Sequence, residues 1–132
     1  MGNRVLSYST TTLAAAVESA ANTETVFASL GGVTCEYSNQ TIKLRAWLKV
    51  TTTATTTSGL VRIRRTSLTG TVVSEATVNN QQFAASKNQD ETVYADDSPG
   101  ELAGATYVAT YVGAGETGPA TFLACKLSAD IF

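Results

Sequence analysis

In the stretch Thr41-Ile42-Lys43-Leu44-Arg45-Ala46-Trp47-Leu48-Lys49-Val50, apolar Ile42, Leu44, Ala46, Leu48 and Val50 take every second position, and Lys43, Arg45, Trp47 and Lys49 fill the positions between. Successive side chains of a strand point to opposite faces, whereas a helix would scatter the two classes around its circumference. The period of two therefore specifies a strand with one dry face and one wet face. The wet face sets a tryptophan among three cations.

The same alternation recurs on both sides, punctuated by turn signals. Residues 25–30 read as a strand ended by Gly31-Gly32, and residues 33–37 alternate before the Ser38-Asn39-Gln40 break. After a Thr/Ser tract over 51–59, Leu60-Val61-Arg62-Ile63-Arg64-Arg65 alternates again, with Val61 and Ile63 inward and Arg62 and Arg64 outward. This strand is expected to share a sheet with 41–50. Thr69-Gly70 marks a turn into a strand over 71–78, followed by a polar loop over 79–89 with an apolar plug at Phe83-Ala84-Ala85. A short strand over 91–96 closes on Asp97-Ser98-Pro99-Gly100, a strong turn signal. Residues 105–112 alternate tyrosine with valine, and the last strand, 120–131, sets Leu123, Cys125 and Leu127 on one side.

About eight strands without a sustained helical period predict an all-β fold, an antiparallel β-sandwich of jelly-roll or Greek-key type spanning residues 23–132. Residues 1–22 differ in composition, with a hydroxyl run over 7–12 and an alanine-rich stretch over 13–21. They are expected to form an N-terminal arm, either a short helix over 13–21 capped by Thr12 or an extended segment packing on a neighbouring subunit.

The totals agree with this reading. One domain fits 132 residues, and 43 % apolar with only 15 % charged residues disfavours disorder. A net charge of −2 gives no field to gather nucleic acid or an anionic membrane. No run approaches the length of a transmembrane helix, and the opening residues lack the apolar stretch of a secretory signal, so a soluble protein is expected. Cys35 and Cys125 fall in alternating apolar patterns and read as buried thiols, a disulfide between an early and a late strand being the alternative.

The chain contains no histidine, the commonest general base and metal ligand. Two distant cysteines do not complete a zinc site, and no phosphate-binding glycine loop precedes a helix, so neither cofactor nor metal is expected. The acidic stretch Asp90, Glu91, Asp96, Asp97 and Glu101 is the best case for catalysis or Ca²⁺, but carboxylates beside Pro99-Gly100 are favoured there as solvated turn residues. The chain is therefore read as a non-enzyme. Six of its nine Lys and Arg residues lie between Lys43 and Arg65. Lys43, Arg45, Trp47, Lys49, Arg62 and Arg64 are the candidate interface, since tryptophan framed by arginine is typical of interface hot spots. The competing reading is a solvated sheet face whose long basic stems cover apolar surface.

Thr23-Glu24-Thr25-Val26, the run from Leu60 to Arg65 leading into Leu68-Thr69-Gly70-Thr71-Val72-Val73, Asp97-Ser98-Pro99-Gly100 and Ala105-Thr106-Tyr107-Val108 together resemble small jelly-roll virion proteins of phages and prophages, of capsid-decoration or head-fibre type. The resemblance implies a structural protein of the virion that binds the major capsid protein or other virion proteins, often as a homotrimer, after assembly in the bacterial cytoplasm. It implies no active-site residues. The alternative function is a carbohydrate- or receptor-binding module of a fibre or spike, for which Trp47, Tyr94, Tyr107 and Tyr111 are the available rings.

Overall fold

The computed structural model describes residues 6–12, 17–35, 37, 39–52, 58–78, 88–99, 105–116 and 118–132. Among them nine strands form and no helix: β1 (Leu6–Thr12), β2 (Val17–Ser19), β3 (Thr25–Val33), β4 (Ile42–Thr52), β5 (Ser58–Arg65), β6 (Val72–Val78), β7 (Asn88–Asp97), β8 (Ala105–Ala114) and β9 (Ala120–Ile131). The loop plug at Phe83-Ala84-Ala85, the 53–57 tract, Gly100 and Glu101 lie outside the described residues.

All pairings are antiparallel, in two sheets ordered β1-β9-β4-β7, with β2 also on β9, and β3-β8-β5-β6. β4 occupies one side of β9 along its length, so β1 and β2 share the other side, Leu6 facing Ile131 and Ser19 facing Ala120. They act as one interrupted strand. Each sheet then alternates early and late strands, which is the jelly-roll winding of an antiparallel sandwich.

That winding takes in the described part of the expected arm. Residues 6–12 and 17–19 pair within the chain's own sheet, and 17–19 are extended rather than helical. Alanine-rich composition favours a helix only locally, and a central strand with one free edge offers a complete ladder of backbone hydrogen bonds instead.

The core lies between the sheets. β4 buries Ile42, Leu44, Ala46, Leu48 and Val50, as the alternation requires, against Val61 and Ile63 of β5 and Tyr107, Ala109 and Tyr111 of β8. Phe122 meets Phe27 and Tyr111 edge-on at ring separations of 5.8 and 5.7 Å. A side chain at Gly59 would sit 2.6 Å from the Tyr111 ring, so the glycine makes room for it. Cys35 and Cys125 are free and buried, and Cys125 Sγ donates to the Phe27 carbonyl at 3.4 Å.

β9 departs from simple alternation. Lys49 faces Ala124 but Val50 faces Phe122, so Leu123 is the extra residue of a bulge and points outward, 39 % exposed. Leu123 therefore does not share a side with Cys125 and Leu127. Phe122 and Cys125 are buried three positions apart because the bulge shifts the phase between them.

Polar ties join the elements at two places. Asp97 of β7 accepts from Tyr107 Oη at 2.6 Å and pairs with Arg65, linking the two sheets. Asn22, at φ 56°, exchanges backbone and side-chain hydrogen bonds with Glu116, fixing the β2–β3 turn to the β8–β9 loop.

Candidate functional site

The outer face of the β1-β9-β4-β7 sheet is built in rows across β7, β4 and β9. Lys43 lies between Asp96 and Asp130, Arg45 between Tyr94 and Ser128, Trp47 between Thr92 and Lys126, and Lys49 between Asp90 and Ala124. Lys43 Nζ pairs with Asp96 at 3.4 Å and sits 5.8 Å from the Phe132 ring centroid. Arg45, Lys49 and Lys126 form no ion pair among the described residues. Trp47 is half-buried and Tyr94 is 68 % exposed. A shallow cleft of about 230 Å³ opens between Arg45, Trp47, Thr92, Tyr94 and Lys126, and a second adjoins it at Arg45 and Tyr94.

Arg62 and Arg64 are elsewhere. β5 belongs to the other sheet, so the six candidate residues do not share a face. Strand alternation shows which way a side chain points within a strand but not which sheet the strand joins, and the jelly roll sends neighbouring strands in the sequence to opposite layers. Arg64 Nε donates to Glu24 at 2.7 Å, Arg62 Nε donates to Glu75 at 2.8 Å, and Arg62 also pairs with Glu24. These stems cross β8 at Val108 and Thr110, both buried on the outer side, so the network roofs its own sheet. Burial of Glu24 alone would raise its pKa, but hydrogen bonds from Arg64 and then Arg62 outweigh it and hold the carboxyl below its ordinary value. On this face the structure supports the solvated, stem-covered reading.

The acidic stretch divides in the same way. Asp96 and Asp90 border the open face beside β4, whereas Asp97 is buried against Arg65 and Tyr107 and is no solvated turn residue. Tyr107 and Tyr111 are fully buried and drop out as surface rings, leaving Trp47 and Tyr94. Lys126 was not legible as part of the site, because only the β4–β9 register brings it beside Trp47. Among the described residues no group of three or more His, Cys, Asp or Glu is placed to hold a metal ion.

No family model and no curated protein matches the chain. Solved structures do: a chain from infectious bursal disease virus, Gx strain (TM-score 0.50, 12 % identity, covering 98 % of this chain and 32 % of that one), and the VP2 subviral particle of the same virus (0.47, 10 %, 97 % and 38 %). A subunit of Bacillus endospore appendages, described as disulfide-linked pili, matches at TM-score 0.44 and 16 % identity over 96 % of this chain and 89 % of that one. The chain thus spans about a third of the length of the viral chains it resembles. The likeness is one of fold: an all-β sandwich.

Proposed function

We propose that the chain is a structural protein of a virus particle, of the capsid-decoration type, that sits on the shell as a homotrimer and meets its surroundings through the outer face of the β1-β9-β4-β7 sheet. The observation that carries this reading is the unequal finish of the two outer faces. One is closed by the Arg62, Arg64, Glu24 and Glu75 network. The other leaves an exposed tyrosine, a half-buried tryptophan and three cations, Arg45, Lys49 and Lys126, that form no ion pair among the described residues. Fixed polar ties between the sheets make the sandwich a rigid support for that face, and a rigid, non-catalytic block suits a component of an assembly. The fold likeness to a viral chain agrees with this reading, as does the resemblance to jelly-roll virion proteins.

The test is the location of the protein. Particles purified from the producing bacterium should carry it at hundreds of copies, in trimers by sedimentation. A handful of copies would assign it to a fibre or spike, and its confinement to the soluble fraction would remove the virion reading altogether.

A further inference from the structure

The open face invites three kinds of occupant, and charge and size separate them. A second copy centred on β4 fits poorly: a two-fold running across the strands lays Lys43 over Lys49 and Asp96 over Asp90, and one running along β4 lays Arg45 over Arg45. Like charges placed opposite each other are repulsive.

The cleft among Arg45, Trp47, Thr92, Tyr94 and Lys126, about 230 Å³, is too small to take in more than a short piece of a folded protein partner. A long polyanion would meet carboxylates at Asp90, Asp96 and Asp130 on the rim. A small ligand carrying one negative charge meets none of these objections.

We propose that this face binds an acidic carbohydrate, a sugar bearing a carboxylate. Arg45 lies between the rings of Trp47 and Tyr94 and has no carboxylate partner among the described residues. Its planar guanidinium suits a carboxylate through two parallel hydrogen bonds. Tyr94 is opposite Arg45 and therefore diagonal to Trp47, about 7–8 Å away in backbone terms, so the apolar face of a sugar ring can rest on one ring while its neighbour reaches the other. Thr92 and Ser128 flank the same rows and offer hydroxyls to sugar hydroxyls. Lys126 adds a second cation beside Trp47. The cleft of about 230 Å³ suits one or two sugar rings. This proposal rests on the same open face as the virion reading, but sugar binding is read on the isolated protein and location on purified particles, so the two fail separately.

Trp47 is the chain's single tryptophan, so its fluorescence reports this site without interference. The folded full-length protein is titrated with galacturonate and with sialyllactose, each carrying one carboxylate, and with lactose as the neutral control. A saturable change is expected for at least one acidic sugar, with lactose at least tenfold weaker. Arg45→Gln should weaken binding by tenfold or more. Trp47→Ala, read by calorimetry because the reporter is gone, should do the same, while Glu75→Gln on the other sheet should leave binding unchanged. The proposal is overturned if neither acidic sugar binds the wild-type protein, if lactose binds equally well, or if the Arg45 and Trp47 variants bind as the wild type does. It is also overturned if an acidic peptide binds in a manner lost in the Arg45 and Trp47 variants where both sugars fail, which would identify a protein partner.

Discussion

Asp97 shows how a single residue changes role once its neighbours are known. In the sequence it opens Asp97-Ser98-Pro99-Gly100, where aspartate is at home in a solvated turn. In the structure β7 runs through it, and the carboxylate is buried, with Arg65 and Tyr107 as partners. Both partners are distant in sequence, so no local pattern could reveal them. Asp97→Asn should destabilise the fold by about 2 kcal/mol, below the roughly 3–5 of a fully buried pair, because Arg65 is 40 % exposed. Tyr107→Phe should cost about 1 kcal/mol, the net worth of one hydrogen bond. Urea unfolding checks both, and values near zero would mean that the tie is not holding the sheets. Trp47→Ala should cost about 1–2 kcal/mol, because the half-buried indole gives up its packed apolar area while no hydrogen-bonded tie is lost.

At the scale of elements, β4 was fully legible because five buried apolar residues alternate without interruption. β9 was not, because its bulge at Leu123 moves the phase by one residue, and such an insertion leaves no mark in composition. β1 and β2 were hidden for another reason: they gain their order from pairing with β9 rather than from their own pattern. Removing residues 1–19 should therefore bare one whole edge of β9, and the truncated protein is expected to aggregate or lose cooperative unfolding. A monomer that unfolds as wild type does would show that the first strand contributes nothing. The β5–β6 turn gives a finer test. Thr66 is held at φ 79°, a region a β-branched residue rarely adopts, and Gly70 packs against the Arg65 carbonyl oxygen. Thr66→Gly is expected to raise stability by up to about 1 kcal/mol, and Gly70→Ala to lower it by more than that, since the added methyl has nowhere to go. Thermal unfolding distinguishes the two signs.

For the whole molecule, the sequence indicated a sandwich of jelly-roll or Greek-key type but not which strands share a sheet, so it placed Arg62 and Arg64 beside Trp47 when they lie on the opposite surface. The winding also buries two phenols. Burial, then Asp97, pushes the Tyr107 pKa well above its ordinary 10.0, and burial, then Glu116, does the same for Tyr111. A folded-state pKa above the unfolded value means that the stabilisation is complete below pH 10 and is lost as pH rises beyond it. Glu24 acts in the opposite sense: its lowered pKa supplies stability above its ordinary 4.5 that disappears as pH falls. The midpoint of urea unfolding should thus be flat near neutrality and decline at both extremes, and an alkaline limb no steeper than that of Tyr107→Phe would contradict the burial of that phenol.

The central claim is that one sheet turns a tryptophan outward among cations that form no ion pair among the described residues, while the other closes its surface with its own charges. Quenching of the single tryptophan by iodide and by caesium tests it most directly, because access and local charge are read together. The native protein should be quenched by both ions, and more strongly by iodide, with the difference reduced in Arg45→Gln and abolished on unfolding. Fluorescence untouched by either ion, or quenched better by caesium, would place the indole in the interior or in an acidic field and contradict the account.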